Sequence, residues 1–222
     1  MRLRIVIAED QVMLREVIRK VCLKAGGCTV VGEAGTGKMA KRVIADTQPD
    51  LVLLDLHMPE GDGFEVAAFA RSRWPAIKIL LMSAHCDDYT LYLVERAGVQ
   101  GFVDKNTESV KTLGKAIRAL RRGRKYFSPA YHEAAEARAT DPRNFAQLLS
   151  KREYAVLSLI GQSLSDKAIA RQLKISPATA QTHRSHIMGK LGATNSLELM
   201  QYAIQHGFTR VVTLRNGKSV YS

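Results

Sequence analysis

The chain has 222 residues, of which 46% are apolar and 24% charged, an ordinary balance for a soluble globular protein, and its length favours two domains over one. No run approaches the ~18 apolar residues of a spanning helix, and the opening MRLRIVIAED reaches acidic residues after one short apolar stretch, which argues against a signal peptide. Cys22, Cys28 and Cys86 lack metal-ligand spacing, so reduced thiols in a cytoplasm are expected and no membrane partner is.

The net charge of +12 is unevenly spread. Residues 1–125 carry 21 Lys and Arg against 15 acids, residues 126–149 carry 2 against 3, and residues 150–222 carry 10 against 3. A short segment that basic is a candidate for nucleic-acid binding.

Over residues 1–125, strand-like and helix-like patterns alternate. Leu3 to Ala8 reads as a strand ending at Glu9-Asp10, and Val12 to Ala25 as a helix stopped by Gly26-Gly27. Thr29 to Val31 is a second strand, and Thr36 caps a helix running to Asp46. Leu51 to Leu54 is too short for a helix and wholly apolar, which suits a strand buried on both faces. It ends on Asp55 and then breaks into a loop containing Pro59, Gly61 and Gly63. Helices over 64–73, 88–97 and 108–122 alternate with strands over 77–82 and 101–103. Five such units predict an α/β fold, a doubly wound five-stranded parallel sheet with helices on both faces.

In such a sheet chemistry gathers at the carboxyl ends of the strands. Glu9, Asp10, Asp55, Ser83 and Lys105 all fall there. Packed carboxylates repel and raise one another's pKa, a conflict that a hard divalent cation such as Mg²⁺ resolves. With Lys105 beside them, the set suits phosphoryl transfer with Asp55 as nucleophile. A second motif competes: GEAGTGKM, Gly32 to Met39, fits the phosphate loop of a P-loop NTPase up to its last position. Met39 stands where a hydroxyl must meet Mg²⁺, and a thioether serves a hard cation poorly, so these glycines are better read as a strand-to-helix turn.

These residues carry a resemblance. Glu9-Asp10, Asp55 with Met58-Pro59 and Gly61-x-Gly63, Ser83-Ala84, and Phe102 three residues before Lys105 resemble the receiver domain of two-component response regulators, a flavodoxin-like fold. The resemblance implies that Asp55 accepts phosphate from a sensor histidine kinase. It implies Mg²⁺ held by Asp10, Asp55 and the His57 carbonyl, with Glu9 reaching the metal through water. Ser83, Phe102 and Lys105 are then the switch and phosphate-stabilising set. Asn106 departs from the Pro that many receivers carry after the Lys.

The connector, residues 124–149, begins a short helix at Ser128-Pro129 running to about Ala139, and Asp141-Pro142 ends it. Beyond it, Ser150 and Glu153 form a capping box, and Ser165-Asp166 opens a second helix. Ser176-Pro177 opens a third, with Ala180, His183 or Arg184, Ile187 and Leu191 inward and Gln181, Thr182, Ser185 and Met188 on another face. Two helices joined by a short turn, the second basic and capped, predict a helix-turn-helix within an all-α four-helix domain.

The pattern SKRE…LSDKAIARQLKISPATAQTH…KLG resembles the LuxR-type DNA-binding domain, and the whole chain the NarL/FixJ family of response regulators. By that resemblance Gln181, Thr182 and Ser185 face base edges, and Thr179, Arg184, Lys190, Lys167 and Arg171 hold phosphates. The partners implied are the kinase, double-stranded promoter DNA, a second copy on activation, and RNA polymerase. The expected organisation is a receiver over 1–123, a linker over 124–149, the DNA-binding domain over 150–207 and a tail over 208–222. Asn216-Gly217 in that tail is a hairpin signal. The chain reads as a transcriptional regulator and not an enzyme, beyond its receiver's own phosphotransfer and autodephosphorylation. A phosphorylation-independent regulator gated by a ligand or protein, and the P-loop NTPase, are the alternatives.

Overall fold

The structure, a computed structural model, describes residues 2–140 and 144–209, and the strands at 212–215 and 218–221. It forms two compact units, one of residues 1–86 and 90–135, the other of 136–222 with 87–89.

The first unit alternates strands and helices: β1 (Leu3–Ala8), α1 (Val12–Lys24), β2 (Cys28–Ala34), α2 (Gly37–Thr47), β3 (Leu51–Asp55), α3 (Gly63–Arg73), β4 (Lys78–Ser83), α4 (Asp88–Ala97), β5 (Gly101–Asp104) and α5 (Val110–Arg121). A two-residue strand, β6 (Tyr126–Phe127), closes the edge. The sheet runs β2-β1-β3-β4-β5-β6, with every pairing parallel. Alternate residues of one strand serve opposite layers. Val52 and Leu54 join Val6, Ala8, Ile79 and Leu81 against Ala40, Ile44 and Val66. Leu51 and Leu53 join Ile5, Ile7, Leu80 and Met82 against Ile18, Ala116 and Ile117. This explains an unbroken apolar run: both faces of β3 are inside, and each such side chain contributes about 1.5–3 kcal/mol by leaving water.

Strand order reverses beside β1, so the ends of β1 and β3 open a crevice flanked by β4 and β5. The GEAGTGKM stretch runs from the end of β2 into the first turn of α2. Thr36 caps α2 by accepting from the Met39 N–H, and Met39 itself is half exposed. A Cβ on Gly37 would lie 2.5 Å from the Gly61 carbonyl oxygen, so this glycine permits close backbone contact between two loops.

The structure adds a sixth strand to the five expected. Tyr126 and Phe127 pair with Gly101 and Phe102, and two residues are too few to show a period in sequence. Beyond β6, α6 (Pro129–Thr140) starts with Tyr131 buried in the first unit's core, among the residues expected to be linker.

In the second unit, α7 (Phe145–Leu148) precedes α8 (Lys151–Gly161), whose N-terminus carries the full capping box: the Ser150 hydroxyl accepts from the Glu153 N–H, and the Glu153 carboxylate accepts from the Ser150 N–H. Then follow α9 (Asp166–Leu173), α10 (Pro177–Leu191) and α11 (Ser196–Gln205), capped by Ser165, Ser176 and Asn195. Val156, Leu157, Ile160, Ile169, Ala180, Ile187, Leu191 and Leu199 fill the core. Phe145 anchors α7 there, with the Tyr154 hydroxyl donating to its carbonyl. Lys174 ends α9 at φ +54°, a left-handed conformation that costs a non-glycine residue about 1–2 kcal/mol.

The tail forms two antiparallel strands, β7 (Val212–Arg215) and β8 (Lys218–Tyr221). The turn signal Asn216-Gly217 between them, and the breaker Asp141-Pro142, lie outside the described residues. No helix among the described residues is long and apolar enough to cross a membrane.

Candidate functional site

The β-strands deliver their terminal residues to one edge. Asp55, the last residue of β3, has a side chain only 2% exposed, and Glu9, just past β1, is fully buried. Carboxylate oxygens of Glu9, Asp10 and Asp55 lie within 4.8 Å of one another. Lys105, one residue past β5, reaches into this cluster: its Nζ is 2.8 Å from Asp55 Oδ2 and 3.2 Å from Glu9 Oε2. The other Asp55 oxygen accepts the His57 backbone N–H at 3.2 Å, and Glu9 Oε1 accepts that of Gln11 at 3.3 Å.

The electrostatics follow from crowding. Burial, and then the charge of Asp55, push the Glu9 carboxyl up from 4.5 to about 7 against the pull of Lys105. Asp55 is also raised, by burial, although Lys105 and the His57 N–H oppose it. Burial works against the Lys105 ammonium, but Asp55 and Glu9 together outweigh it and raise its pKa. The ammonium pairs with two carboxylates while that of Asp10 lies beside them, so the three carboxyl groups face a single cation. The cluster's donors are all oxygen, which suits a hard cation.

Two loops border the site and are tied together. The Lys105 N–H donates to the Ser83 carbonyl at 2.7 Å, and the Asn106 amide donates to the Ala84 carbonyl at 2.6 Å. Ser83 is fully buried, and its hydroxyl accepts the His85 N–H at 3.0 Å. Phe102 is fully buried, its ring 5.7 Å from that of Tyr131 on α6, which in turn packs at a tilt on Phe127 with centroids 4.7 Å apart. The sequence reading passed over Asn106 as a link and Tyr131 altogether. Nothing local marks Tyr131, because its partners are contributed by strands 4 and 29 residues earlier.

In the second unit, α10 leaves Thr179, Gln181, Thr182 and Ser185 exposed on a capped helix. His186, one turn beyond Thr182, is exposed too, and helical spacing could have flagged it. The Thr182 hydroxyl donates to the Ala178 carbonyl at 3.0 Å, and that of Thr179 lies 2.8 Å from the Ser176 hydroxyl. Lys167 and Arg171 stand exposed on α9 with no ion-pair partner among the described residues. The other two cations expected at phosphates differ. Arg184 is bound to Asp166, and Lys190 Nζ lies 2.8 Å from the Glu153 carboxylate, whose own pKa falls because hydrogen bonds from Lys190 and Ser150 outweigh its burial.

Comparisons agree with this geometry. Residues 5–118 match the response regulator receiver domain, and residues 147–203 match the bacterial regulatory proteins of the luxR family. The response regulator protein VraR of Staphylococcus aureus is 31% identical over 206 residues, which cover 93% of this chain and 98% of that one. A solved LuxR-family two-component response regulator from Aurantimonas is 31% identical, covers 63% of this chain and 99% of its own, and superposes with a TM-score of 0.58. RcsB of Salmonella enterica serovar Typhimurium, solved bound to a promoter, shares the fold at 24% identity and a TM-score of 0.66, over 91% of this chain and 98% of that one. The chain belongs to the response regulators, with a receiver domain followed by a LuxR-type DNA-binding domain.

Proposed function

We propose that Asp55 accepts a phosphoryl group from a sensor histidine kinase and that this controls dimerisation and promoter binding. The observation that carries the reading is Asp55 itself: a buried strand-end carboxylate with one oxygen on Lys105 and the other on a backbone N–H. An Asp55 oxygen attacks phosphorus in line. The P–N bond of a phosphohistidine, or the P–O bond of a small acyl phosphate, breaks with its electron pair on the leaving group. The product is an aspartyl phosphate, which water later returns to Asp55 and inorganic phosphate.

Lys105 is within reach to pair with a phosphoryl oxygen, and the Ser83 hydroxyl to donate to another once its loop turns inward. Glu9, Asp10, Asp55 and the His57 carbonyl would hold Mg²⁺, which fits their all-oxygen set. When bound, the ion offsets charge on the transferred group. Phosphorylation adds about two negative charges, and Ser83, Phe102 and Lys105 shift an existing equilibrium towards the active arrangement.

The assignment of residues 1–123 to the receiver, 124–149 to a linker, 150–207 to DNA binding and 208–222 to a tail belongs to this reading. So do base contacts from Gln181, Thr182 and Ser185, phosphate contacts from Thr179, Lys167, Arg171 and Lys190, RNA polymerase as a further partner, and cytoplasmic residence. Paired half-sites would lie about 10 base pairs apart. The test is DNA binding by the full chain with Mg²⁺, with and without a small acyl phosphate. Tighter binding and a larger hydrodynamic size on phosphorylation are expected; identical binding in both arms would overturn the coupling.

A further inference from the structure

We infer that Arg184 is a positioning residue, clamped by Asp166 so as to fix the recognition helix α10 on α9, and not a phosphate contact. The inference rests on the DNA-binding reading above.

Arg184 lies between Thr182 and Ser185 in sequence, where a cation on a basic helix is naturally assigned to the DNA backbone. Its guanidinium is engaged elsewhere. Nε and Nη2 lie 2.9 and 2.7 Å from Asp166 Oδ1, and Nη2 also donates to the Leu164 carbonyl at 3.5 Å. The side chain is only 16% exposed. Asp166 is the first residue of α9, where unpaired backbone N–H groups favour a carboxylate. The carboxylate that pairs with Arg184 therefore also sits where the helix dipole favours it.

One planar fork consequently ties three pieces of backbone: the loop before α9, the first turn of α9 and the middle of α10. A guanidinium presents its donors in fixed directions, so it sets the rotation of α10 as well as its distance. Gln181, Thr182 and Ser185 occupy the exposed face of the same rigid helix, and they inherit that rotation. Lys190 and Glu153 provide a second tie six residues further on, roughly 9 Å along the helix, joining the end of α10 to the capped start of α8.

Two predictions separate a clamp from a phosphate contact. Cutting a phosphate contact weakens binding to all sequences alike and lowers the salt slope by about one. Breaking a clamp spoils the fit of base-facing residues, which lowers discrimination at an unchanged slope. Asp166 sharpens the contrast. Were Arg184 a phosphate contact, removing Asp166 would release it and tighten binding to every duplex. As a clamp, Asp166 and Arg184 fail together.

The experiment uses the full chain, a duplex selected by the wild type from a random pool, and a scrambled duplex of equal length. Affinities are measured over a salt series for wild type, Asp166→Asn, Arg184→Ala and the double variant, with thermal melts confirming folded domains. Asp166→Asn keeps the side chain's shape at the helix start if Arg184→Ala fails to fold. The expected result is a fall of about tenfold in the specific-to-scrambled ratio for each single variant, no further fall in the double, and an unchanged slope. A shallower slope with an intact ratio in Arg184→Ala, or tighter binding throughout in Asp166→Asn, would overturn the clamp. Failure of the wild type to select any duplex would instead remove the DNA-binding reading on which it rests.

Discussion

Lys105 Nζ stands 2.8 Å from Asp55 Oδ2, and the same ammonium is 3.2 Å from Glu9. One cation therefore restrains two buried carboxylates, and on the proposed function it is also the group that would meet a transferred phosphoryl oxygen. Replacing Lys105 by Met keeps the stem but not the charge. The rate of Asp55 phosphorylation by a small acyl phosphate should fall by about 10²-fold, the usual cost of losing one preorganised oxyanion partner. Quantifying phosphoprotein over time checks this, and an unchanged rate would show that Lys105 has no part in the transfer.

Glu9 sets a pH dependence of opposite sign with and without metal. Its folded pKa, about 7, exceeds its unfolded 4.5, so the folded chain holds an extra proton between those values. Metal-free stability should therefore fall as pH rises from about 4.5 to 7, by up to roughly 3 kcal/mol, and level off above. Millimolar Mg²⁺ needs the ionised carboxylate, so its stabilising effect should grow over the same range. Melting temperatures across pH, with and without Mg²⁺, read both trends, and Glu9→Gln should flatten them.

Asn106 links the loop after β5 to the loop after β4 through the Ala84 carbonyl. Asn106→Ala should destabilise the unphosphorylated receiver by about 1 kcal/mol, the worth of one hydrogen bond. Denaturant unfolding of the full chain, followed at its receiver transition, gives the number. No change would mean that solvent replaces the link without cost.

Tyr131 brings the start of α6 against Phe102, a switch residue on the proposed function. Tyr131→Ala should cost about 3 kcal/mol of receiver stability. A double-mutant cycle with Phe102→Leu should reveal coupling of about 0.5–1.5 kcal/mol, typical of an aromatic pair. Simple additivity would separate the connector helix from the switch.

On DNA, Gln181→Ala should relax preference at one base position and leave the salt slope alone. Lys167→Ala or Arg171→Ala should instead lower the slope by about one and leave the preference intact. Binding-site selection with each variant, combined with salt titrations, distinguishes the two classes.

The receiver site was legible because a parallel sheet places chemistry at strand ends, and the β3 run LVLLD shows its own end. Caps were equally plain: Thr36, Ser150, Ser165 and Ser176 each open the helix that their sequence context announces. What depends on distant partners was not. β6 exists only because Gly101 and Phe102 offer an edge to pair with, and Tyr131 is core only because Phe102 and Phe127 are beside it. Arg184 is the sharpest case. The family resemblance assigns it to phosphate, and the structure pairs it with Asp166, 18 residues earlier on another helix. Charge type can be read locally, but its pairing cannot.

The most direct test is phosphorylation of the chain itself. Incubated with Mg²⁺ and a small acyl phosphate, the wild type should take up one acid-stable, base-labile phosphoryl group, and mass spectrometry should place it on Asp55. Asp55→Ala should take up none. Absence of modification in the wild type, or modification that persists in Asp55→Ala, would contradict the account.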